Sequence, residues 1–568
     1  MAPSGGRSLR GLGRRVALTY RYLGLRALVW RVVSFPLRYT PLRLPLGLGT
    51  PAEQHLHEAV RWHRRTAPPV TVVAPGAPLR VAPGHDLAVI DPDLEPSREW
   101  LAALQFAAHR EPAVAVVGAR IVGPDGAIES AGRCLDARDR PASAGRYAGR
   151  PAGYAPAHVD GPVLAAAEEL AFVRGDALAG EAAAEGSVAA LCLRAWRAGR
   201  EVRYQPSVSA RRRSGTARGS APGLPRLDDR PVRTPDGRLR VAYVTQETSV
   251  GGGHRDIFEH LNRLQARGHE VSLFSLGGQP EWFPLEVAVQ TFGDWDALTA
   301  ALAEQDAIKI ATWWRSAMPV WLATRRRGLP VYFVQDVETS YYPDDPASQA
   351  RVLDTYRNEF RYMTISGYNR DDLARLGLDA ELVPPGIDLD TFRPLGRERR
   401  EDMLLALGRG NHLKNLDLTI DAWKALGGDR PEMCLFGIEP ELGQRHGARY
   451  VTAPSDEQVN QLFNEATIFL QTSIHEGFAL PPLEAMATGG AVVCTDAHGN
   501  RDFCVDGGNC LMPEPTVESV RGAIERLLAN PALRRRLGEA GILTAQEYAW
   551  ERRIDSLEAF LKQVSRPV

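Results

Sequence analysis

Cysteine is scarce in this 568-residue sequence, and long apolar runs are absent from it. The six cysteines form no C-x-x-C pair and no zinc-ligand spacing, which argues against a disulfide framework or a structural zinc site and predicts buried thiols in a reducing cytoplasm. No segment of 18 apolar residues lacks a charge, so no membrane-spanning helix is predicted. The 68 basic and 69 acidic residues nearly cancel, which excludes a chain-wide field for nucleic-acid binding.

Acidic residues are missing from the N-terminal segment, residues 1–52, which contains nine arginines among leucine, valine and aromatic residues. Arg21, Arg26 and Arg31 interrupt its apolar positions, and this excludes the uninterrupted core of a secretory signal. A basic helix carrying aromatic residues is typical of a segment on an anionic membrane surface. Packing of the segment against the chain's own domains is the alternative, and composition does not separate the two.

The rest of the chain has the composition of folded protein, with 44% hydrophobic and 24% charged residues, and a length typical of several domains. A segment rich in Pro, Gly and Arg, 211–238, is predicted to be a linker. Before it, 53–210 is predicted to be an α/β domain with an irregular pattern. After it, strands and helices alternate regularly in 239–395 and again in 396–568. This predicts two doubly wound, Rossmann-like domains with a ligand cleft between them.

The strands of the two regular domains are predicted from short runs of β-branched and aromatic residues. These runs are Leu239–Thr245, Glu270–Leu276, Ala307–Trp313, Pro330–Asp336, Arg361–Ser366, Met403–Leu407, Met433–Gly437, Arg449–Thr452, Ala466–Gln471 and Ala491–Thr495.

An anion site is predicted where the segment 475–486 leaves a strand and begins a helix with two prolines. The backbone N–H groups of 477–480 (Gly477, Phe478, Ala479 and Leu480) are suited to a diphosphate. Glu476 and Glu484 would repel a phosphate but suit sugar hydroxyls, for which a carboxylate is a strong acceptor. The alternative for both glutamates is a pair of surface charges in the first turn of a helix.

Two further loops carry groups that suit a phosphate. Arg409 and Lys414 follow a predicted strand, and an arginine can bind a phosphate through two parallel hydrogen bonds. Gly252 and Gly253 lie in a three-glycine loop that lets backbone N–H groups approach a ligand. Each loop alone also fits an ordinary solvated turn.

Together these motifs resemble the retaining glycosyltransferases of the GT-B fold, group 1 (family 4), over about 238–560. The resemblance lies in an E-x7-E motif at Glu476 and Glu484, in a G-R…K-N element around Arg409 and Lys414, and in a P-G-I-D…F-R-P connection at 385–394. It implies that Glu476 holds donor-sugar hydroxyls, that Glu484 holds the ribose, and that the basic pair neutralises the leaving diphosphate.

The sequence departs from this family after the strand at 330–336. Many members have a histidine there, whereas this chain has Gln335 and Asp336, and Asp336 is therefore a candidate catalytic residue. His254 lies in the glycine loop and is a poor substitute. The Phe-Val-Gln-Asp-x-Glu run, together with Trp313 and Trp314, is similar to bacterial rhamnosyltransferases that build surface glycans.

The region 53–210 resembles a truncated inverting GT-A (family 2) transferase. Asp91 and Asp93 correspond to its D-x-D strand end, where a metal ion would bind. Ser187 and Val188 stand where the acidic pair that includes the base is expected. This predicts a degenerate domain that positions the acceptor or the membrane, with a polar turn at Asp91–Asp93.

The predicted function is a retaining, metal-independent sugar transfer of the hexosyltransferase type, with no cofactor. The predicted partners are a nucleotide-sugar donor, a glycan or lipid-linked acceptor and, through 1–52, an anionic membrane surface, with no nucleic acid. The predicted location is the cytoplasm, at the inner face of the plasma membrane. Two alternatives stay open: a bifunctional enzyme with a second, metal-dependent GT-A activity, and a catalytically silent glycan-binding assembly protein.

Overall fold

The computed structural model describes residues 44, 50–80, 82–133, 146–176, 187–214, 232, 236–325 and 327–565. The chain divides into two compact units, the first ending at Pro225 and the second beginning at Arg226. The membrane-surface prediction for 1–52 falls almost entirely outside the described residues. Within the described residues, no helix has the length and apolar character needed to cross a membrane.

The first unit is built on one mixed sheet. Its strands are β1 Val70–Val73, β2 Asp86–Ile90, β3 Leu94–Pro96, β4 Val114–Val122, β5 Ile128–Ser130, β6 Gly161–Pro162, β7 Leu170–Val173 and β8 Glu201–Arg212, and its helices are α1 Pro51–Thr66, α2 Trp100–Arg110 and α3 Val188–Arg197. The sheet order is β1-β2-β7-β4-β8-β3, with β5 beside β4 and β6 beside β8. β4 lies antiparallel to β7 and parallel to β8. Strand β4, which is buried except at Val122, and the fully buried strand β7 form the centre of the core.

The second unit begins with a seven-stranded parallel sheet. Its strands are β9 Arg240–Thr245, β10 Glu270–Ser275, β11 Val289–Thr291, β12 Ile308–Ala311, β13 Leu329–Val334, β14 Arg361–Thr364 and β15 Ala380–Leu382, and its helices are α4 Gly252–Ala266, α5 Trp295–Ala303, α6 Trp314–Ala323, α7 Pro346–Thr355 and α8 Gly367–Arg375. The sheet order is β11-β10-β9-β12-β13-β14-β15. Helices that connect parallel strands cover the sheet, which explains why its central strands β12 and β13 are mostly apolar and largely buried.

A second parallel sheet completes the unit. Its strands are β16 Arg400–Leu407, β17 Glu432–Gly437, β18 Arg449–Thr452, β19 Ala466–Gln471 and β20 Ala491–Cys494, and its helices are α9 Leu416–Lys424, α10 Glu441–His446, α11 Asp456–Glu465, α12 Leu480–Ala487, α13 Val517–Leu528, α14 Pro531–Glu547 and α15 Trp550–Val564. The sheet order β18-β17-β16-β19-β20 reverses direction between β16 and β19, which is where an open parallel sheet forms a binding crevice.

Ten strands of this unit lie where the apolar runs predicted them, with small differences at their ends. The run 307–313 is a strand only to Ala311, because Trp314 already begins α6. The predicted linker starts two residues early, since β8 continues through Arg212. The short edge strands β11 and β15 were missed because edge positions are half exposed and lack an apolar run.

The last helix returns from the second sheet to the first. Ile387 N donates to the Tyr548 carbonyl at 2.8 Å just before α15 begins. Gly386 packs against Trp550 so closely that an added Cβ would overlap the indole ring. Arg267, at the end of α4, lies 2.6 Å from Glu558 of α15. Buried apolar side chains of both sheets and of α15 form one continuous cluster, which holds the two halves of the unit together.

Candidate active site in the second unit

A cleft of about 1610 Å³ lies between the two sheets of the second unit, lined by loops that follow the carboxyl ends of strands in both. All of the site residues predicted from the sequence line it: Gly252, Gly253, Asp336, Arg409, Lys414, Glu476, Gly477, Phe478, Ala479, Leu480 and Glu484. Loops at strand ends of a parallel sheet meet at one edge, and the motifs converge for this reason.

Glu476 is held by three donors at the end of β19. The Lys414 ammonium lies 2.7 Å from each carboxylate oxygen, while Gln471 Nε2 and Ser473 Oγ donate to Oε1 at 3.0 and 2.7 Å. The carboxylate side chain is only 10% exposed. Because Oε1 is crowded with donors, the lone pairs left for a ligand hydroxyl belong to Oε2.

Arg409 stands on the loop after β16, where Tyr450 fixes the backbone. The Tyr450 hydroxyl donates to the Gly408 carbonyl and accepts from Glu439 N, both at 2.8 Å. Gly408 is needed because a Cβ there would overlap the Tyr450 ring. The Arg409 guanidinium lies 3.6 Å from Glu439 and is partly exposed to the cleft, so both Arg409 and Lys414 face acidic partners that an entering anion would replace.

Two helix N-termini open into the cleft, those of α4 and α12. Gly252, at the start of α4, lies close to Leu480, at the start of α12; a Cβ on Gly252 would be 3.8 Å from Leu480 Cδ1. A Cβ on Gly253 would overlap the Gln335 side chain, and one on Gly477 would overlap the Gln335 carbonyl oxygen. Glycines therefore let both loops close around Gln335, and the backbone N–H groups of 477–480 and of the start of α4 favour an anion beside them.

Glu484 lies inside α12, beside groups from the opposite side of the cleft. Burial raises the pKa of its carboxyl to about 7, against the opposing effect of the Arg255 guanidinium. Arg255, in the first turns of α4, donates to both oxygens of Asp456 at 2.6 and 2.7 Å. This pair connects the two halves of the cleft, and Arg255 was missed because its partner is 201 residues away.

Asp336 does have a histidine beside it, from the other sheet. His475 Nε2 lies 2.9 and 3.0 Å from its carboxylate oxygens, and His475 Nδ1 lies 3.0 Å from His498 Nδ1. The hydrogen bond to Asp336 raises the pKa of His475 despite burial. His254 instead bonds the Ser249 carbonyl at 2.7 Å. Sequence reasoning missed His475, although its place next to Glu476 was the available signal.

The first unit holds the other candidate residues. Asp91 is buried, and its Oδ1 accepts from Asp93 N at 2.9 Å, which is the geometry of a polar turn. Ser187 caps α3, and Glu168 accepts from the N–H groups of Val188 and Ala189 at 2.7 and 2.9 Å. The Glu168 carboxylate thus reaches the start of α3 from another segment, but both of its oxygens already accept hydrogen bonds from backbone N–H groups.

The cysteines in the described residues are buried and free of disulfides. Three of them, Cys494, Cys504 and Cys510, have sulfur atoms within 4.8 Å of one another, and they form the one group of His, Cys, Asp or Glu in the described ranges with metal-compatible spacing. Cys134 is outside those ranges. The cluster lies in the core, apart from the residues that line the cleft.

The model of the family "Glycosyl transferases group 1" matches residues 389–544. The O-antigen biosynthesis protein RfbC of Myxococcus xanthus is 27% identical over 344 residues, which cover 56% of this chain and 27% of that protein. The D-inositol 3-phosphate glycosyltransferase of Segniliparus rotundus is 27% identical over 212 residues, covering 33% of this chain and 47% of that protein. The chain thus spans less than half the length of either curated relative.

Solved structures with the same fold include sucrose-phosphate synthase from Thermosynechococcus elongatus, with a TM-score of 0.50, 19% identity and coverage of 58% of this chain and 99% of that one. Anabaena HepE in complex with UDP and glucose has a TM-score of 0.50 and 14% identity, and covers 57% and 99%. The predicted GT-B-like α/β fold with Rossmann-like parallel sheets is therefore confirmed, and the predicted resemblance to group 1 glycosyltransferases is supported by the match at 389–544.

Proposed function

We propose that this protein is a retaining, metal-independent glycosyltransferase that uses a nucleotide-diphosphate sugar. The single observation that carries the proposal is the contact of Lys414 with both oxygens of Glu476, at 2.7 Å, in a cleft that two helix N-termini also face. A sugar-binding carboxylate beside phosphate-binding cations is the combination that a glycosyl diphosphate requires, because hydroxyls and charge lie on adjacent parts of that donor.

In the proposed reaction, the bond from the sugar to the diphosphate breaks as the acceptor hydroxyl attacks from the same side. Negative charge grows on the leaving phosphate as that bond breaks, and the departing oxygen takes up the proton that the acceptor hydroxyl loses. Arg409, Lys414 and the amides of 477–480 stabilise that charge, and Glu476 Oε2 orients the sugar. These residues supply positive charge themselves, which supports the proposal that no metal ion is needed.

The acceptor is proposed to be a growing bacterial surface glycan. Support comes from the similarity to a protein named for O-antigen biosynthesis, and from sequence likeness to rhamnosyltransferases around Trp313 and Trp314, which makes rhamnose the proposed sugar. The arginine-rich segment 1–52 is proposed to hold the enzyme beside a lipid-linked acceptor at the inner membrane face, each basic residue contributing about 1 kcal/mol. Loss of 1–52 should then abolish co-sedimentation with anionic vesicles; unchanged co-sedimentation would refute this role.

The test is to incubate the purified chain, with and without EDTA, with uridine, guanosine, adenosine and thymidine diphosphate sugars. We expect one donor to be hydrolysed or transferred in the presence of EDTA, with the product anomer first detected by NMR having the donor's configuration. Inverted configuration would contradict the retaining mechanism. Loss of turnover with EDTA would contradict metal independence. Absence of turnover and of nucleotide binding across the panel would favour the silent glycan-binding alternative.

A further inference from the structure

Four aromatic side chains form a surface that the proposed chemistry does not use. Trp313 and Trp314 follow β12, and Tyr341 and Tyr342 lie at the end of the short helical turn 338–341 after β13; we call these four residues the aromatic wall. The ring centroids of Trp313 and Tyr341 are 5.6 Å apart, and those of Trp314 and Tyr342 are 6.0 Å apart. Trp314 Nε1 also donates to the Tyr342 hydroxyl at 3.2 Å, so the two loops hold each other.

The wall is presented to the cleft and is not part of the core. Trp313, Tyr341 and Tyr342 line the cleft, and Tyr341 is 42% exposed although it is a large, mainly apolar side chain. By contrast, Trp321 on α6 is fully buried. Trp313 is half-buried and Tyr341 is exposed, and aromatic rings on the wall of a cleft that also holds charged groups are the arrangement of a ligand site with an apolar face.

A buried carboxyl group, that of Glu338, holds the turn that carries Tyr341 in place. Glu338, 2% exposed, accepts hydrogen bonds from the hydroxyls of Tyr332, at 3.2 Å, and of Tyr356. Ser340 Oγ donates to Asp336 at 3.3 Å, so the turn is also held by the carboxylate that contacts His475. Desolvation and the Asp336 carboxylate raise the pKa of Tyr341, which therefore remains a neutral phenol able to donate a hydrogen bond.

We propose that the aromatic wall is a subsite that binds one sugar ring of the acceptor; this inference rests on the proposed function. A pyranose has an apolar C–H face and a rim of hydroxyls. Trp313 and Tyr341 would cover the face, because an aromatic ring supplies a large rigid apolar surface, and Asp336 would accept from the rim. Both rings belong to the first sheet, opposite Arg409, Lys414 and Glu484 on the second, where the donor is proposed to bind.

The polar surroundings favour a sugar over a lipid tail. Arg315 is exposed, lines the cleft and lies with its guanidinium 5.2 Å from the centre of the Trp314 ring. The Tyr341 hydroxyl interacts with the Asp336 carboxylate, which also lines the cleft. An acyl chain would shield these polar groups from water and offer them no hydrogen bond, which is costly, whereas sugar hydroxyls can bond to them.

Saturation-transfer NMR tests the subsite with a mixture of methyl glycosides of glucose, mannose, galactose and rhamnose, in the presence and absence of UDP. We expect transfer to ring C–H protons in the wild-type protein and a loss of affinity of about tenfold in Trp313→Ala and in Tyr341→Ala. Tyr341→Phe, which keeps the ring and loses only the hydroxyl, should lose less affinity than Tyr341→Ala. Trp295→Ala is the matched control, because Trp295 begins α5 and does not line the cleft.

Three results would overturn the subsite: wild-type binding in both alanine variants, equal loss in Tyr341→Phe and Tyr341→Ala, or displacement of the glycosides by UDP, which would place them in the nucleotide position. Thermal unfolding of each variant checks that it is folded, and Trp313→Leu, which fills much of the space without an aromatic ring, replaces Trp313→Ala if the latter is not. Glycoside binding without binding of any nucleotide would leave the subsite standing and refute the donor chemistry proposed above.

Discussion

At the scale of single residues, the candidate site consists of charged groups that neutralise one another. Lys414 pairs with Glu476, Arg409 with Glu439, and Arg255 with Asp456. All three pairs are partly exposed to solvent, so each contributes little to the stability of the fold. The same arrangement makes each cation available, because a diphosphate can replace the carboxylate as its partner.

Removing either cation should slow the reaction without unfolding the protein. We expect Arg409→Ala and Lys414→Ala each to lower kcat by about 10²-fold or more, since the leaving-group charge develops in the transition state. Turnover of the active nucleotide sugar measures the effect, and circular dichroism measures folding. Lys424→Ala, on the exposed side of α9, is the control. Near-wild-type turnover in either cleft variant would refute the assignment to the diphosphate.

The Glu484 carboxyl should make donor binding depend on pH. Its pKa is raised to about 7 by burial, so it is mostly protonated below that value and mostly ionised above it. An ionised carboxylate accepts a stronger hydrogen bond from a ribose hydroxyl than the protonated acid does, so affinity for the nucleotide sugar should rise as the pH approaches 7, by at most about tenfold per pH unit, and level off above it. Calorimetry at several pH values measures this.

The matched variant is Glu484→Gln, which should bind weakly and with a flat pH profile. An unchanged affinity in Glu484→Ala, or a pH profile in Glu484→Gln as steep as in the wild type, would remove Glu484 from the ribose site.

At the scale of elements, the site depends on loops that lie so close together that only glycine fits at Gly253 and Gly477. Gly477→Ala should lower the free energy of unfolding by about 1–3 kcal/mol and impair turnover, because its Cβ would overlap the Gln335 carbonyl oxygen. Gly522→Ala, in α13, has nothing within 4 Å and should be stabilising by about 0.5–1 kcal/mol. Denaturant unfolding compares the two, and equal stability in both would contradict the packing described for the 477 loop.

The contact of β13 with the loop after β19 should respond to pH. The folded-state pKa of His475 is raised by Asp336, so its stabilising contribution is complete below the ordinary value of 6.5 and is lost as the pH rises through the raised value. His475→Asn should therefore reduce Tm more at pH 6 than at pH 9. His412→Asn, at an exposed position, is the control. A Tm difference that did not change with pH would show that the ion pair does not stabilise the fold.

The sequence predicted the parts of the site that are local in the chain. Arg409, Lys414, Glu476 and the glycines each follow a predicted strand, and the parallel sheets bring those strand ends together. The contacts of His475 with Asp336, and of Arg255 with Asp456, join residues 139 and 201 positions apart. No periodicity encodes such pairs, since they depend on how the two sheets of the second unit pack.

Core packing likewise brought together residues whose spacing gave no signal. Cys494, Cys504 and Cys510 match no metal-binding motif in the sequence, yet the turn after β20 brings their sulfur atoms within 4.8 Å of one another. The edge strands β11 and β15 were also missed. Hydrogen bonds to a neighbouring strand define them, whereas their composition does not indicate a strand.

At the scale of the whole molecule, the chain contains two compact units, and we propose that catalysis belongs to the second. In the first, Asp91 is occupied in a turn and Glu168 is occupied by the start of α3. An inverting metal-dependent centre would need both a bound divalent ion and a free carboxylate base. The first unit is therefore expected to position the acceptor or the membrane.

One comparison tests this assignment most directly: sugar-transfer turnover of Asp91→Asn/Asp93→Asn and of Glu476→Ala, each measured with and without EDTA against the wild type. We expect the double variant to keep wild-type turnover in EDTA and Glu476→Ala to have none under either condition. Turnover that survives in Glu476→Ala and disappears on chelation or in the double variant would contradict this assignment, because the first unit would then be a catalyst.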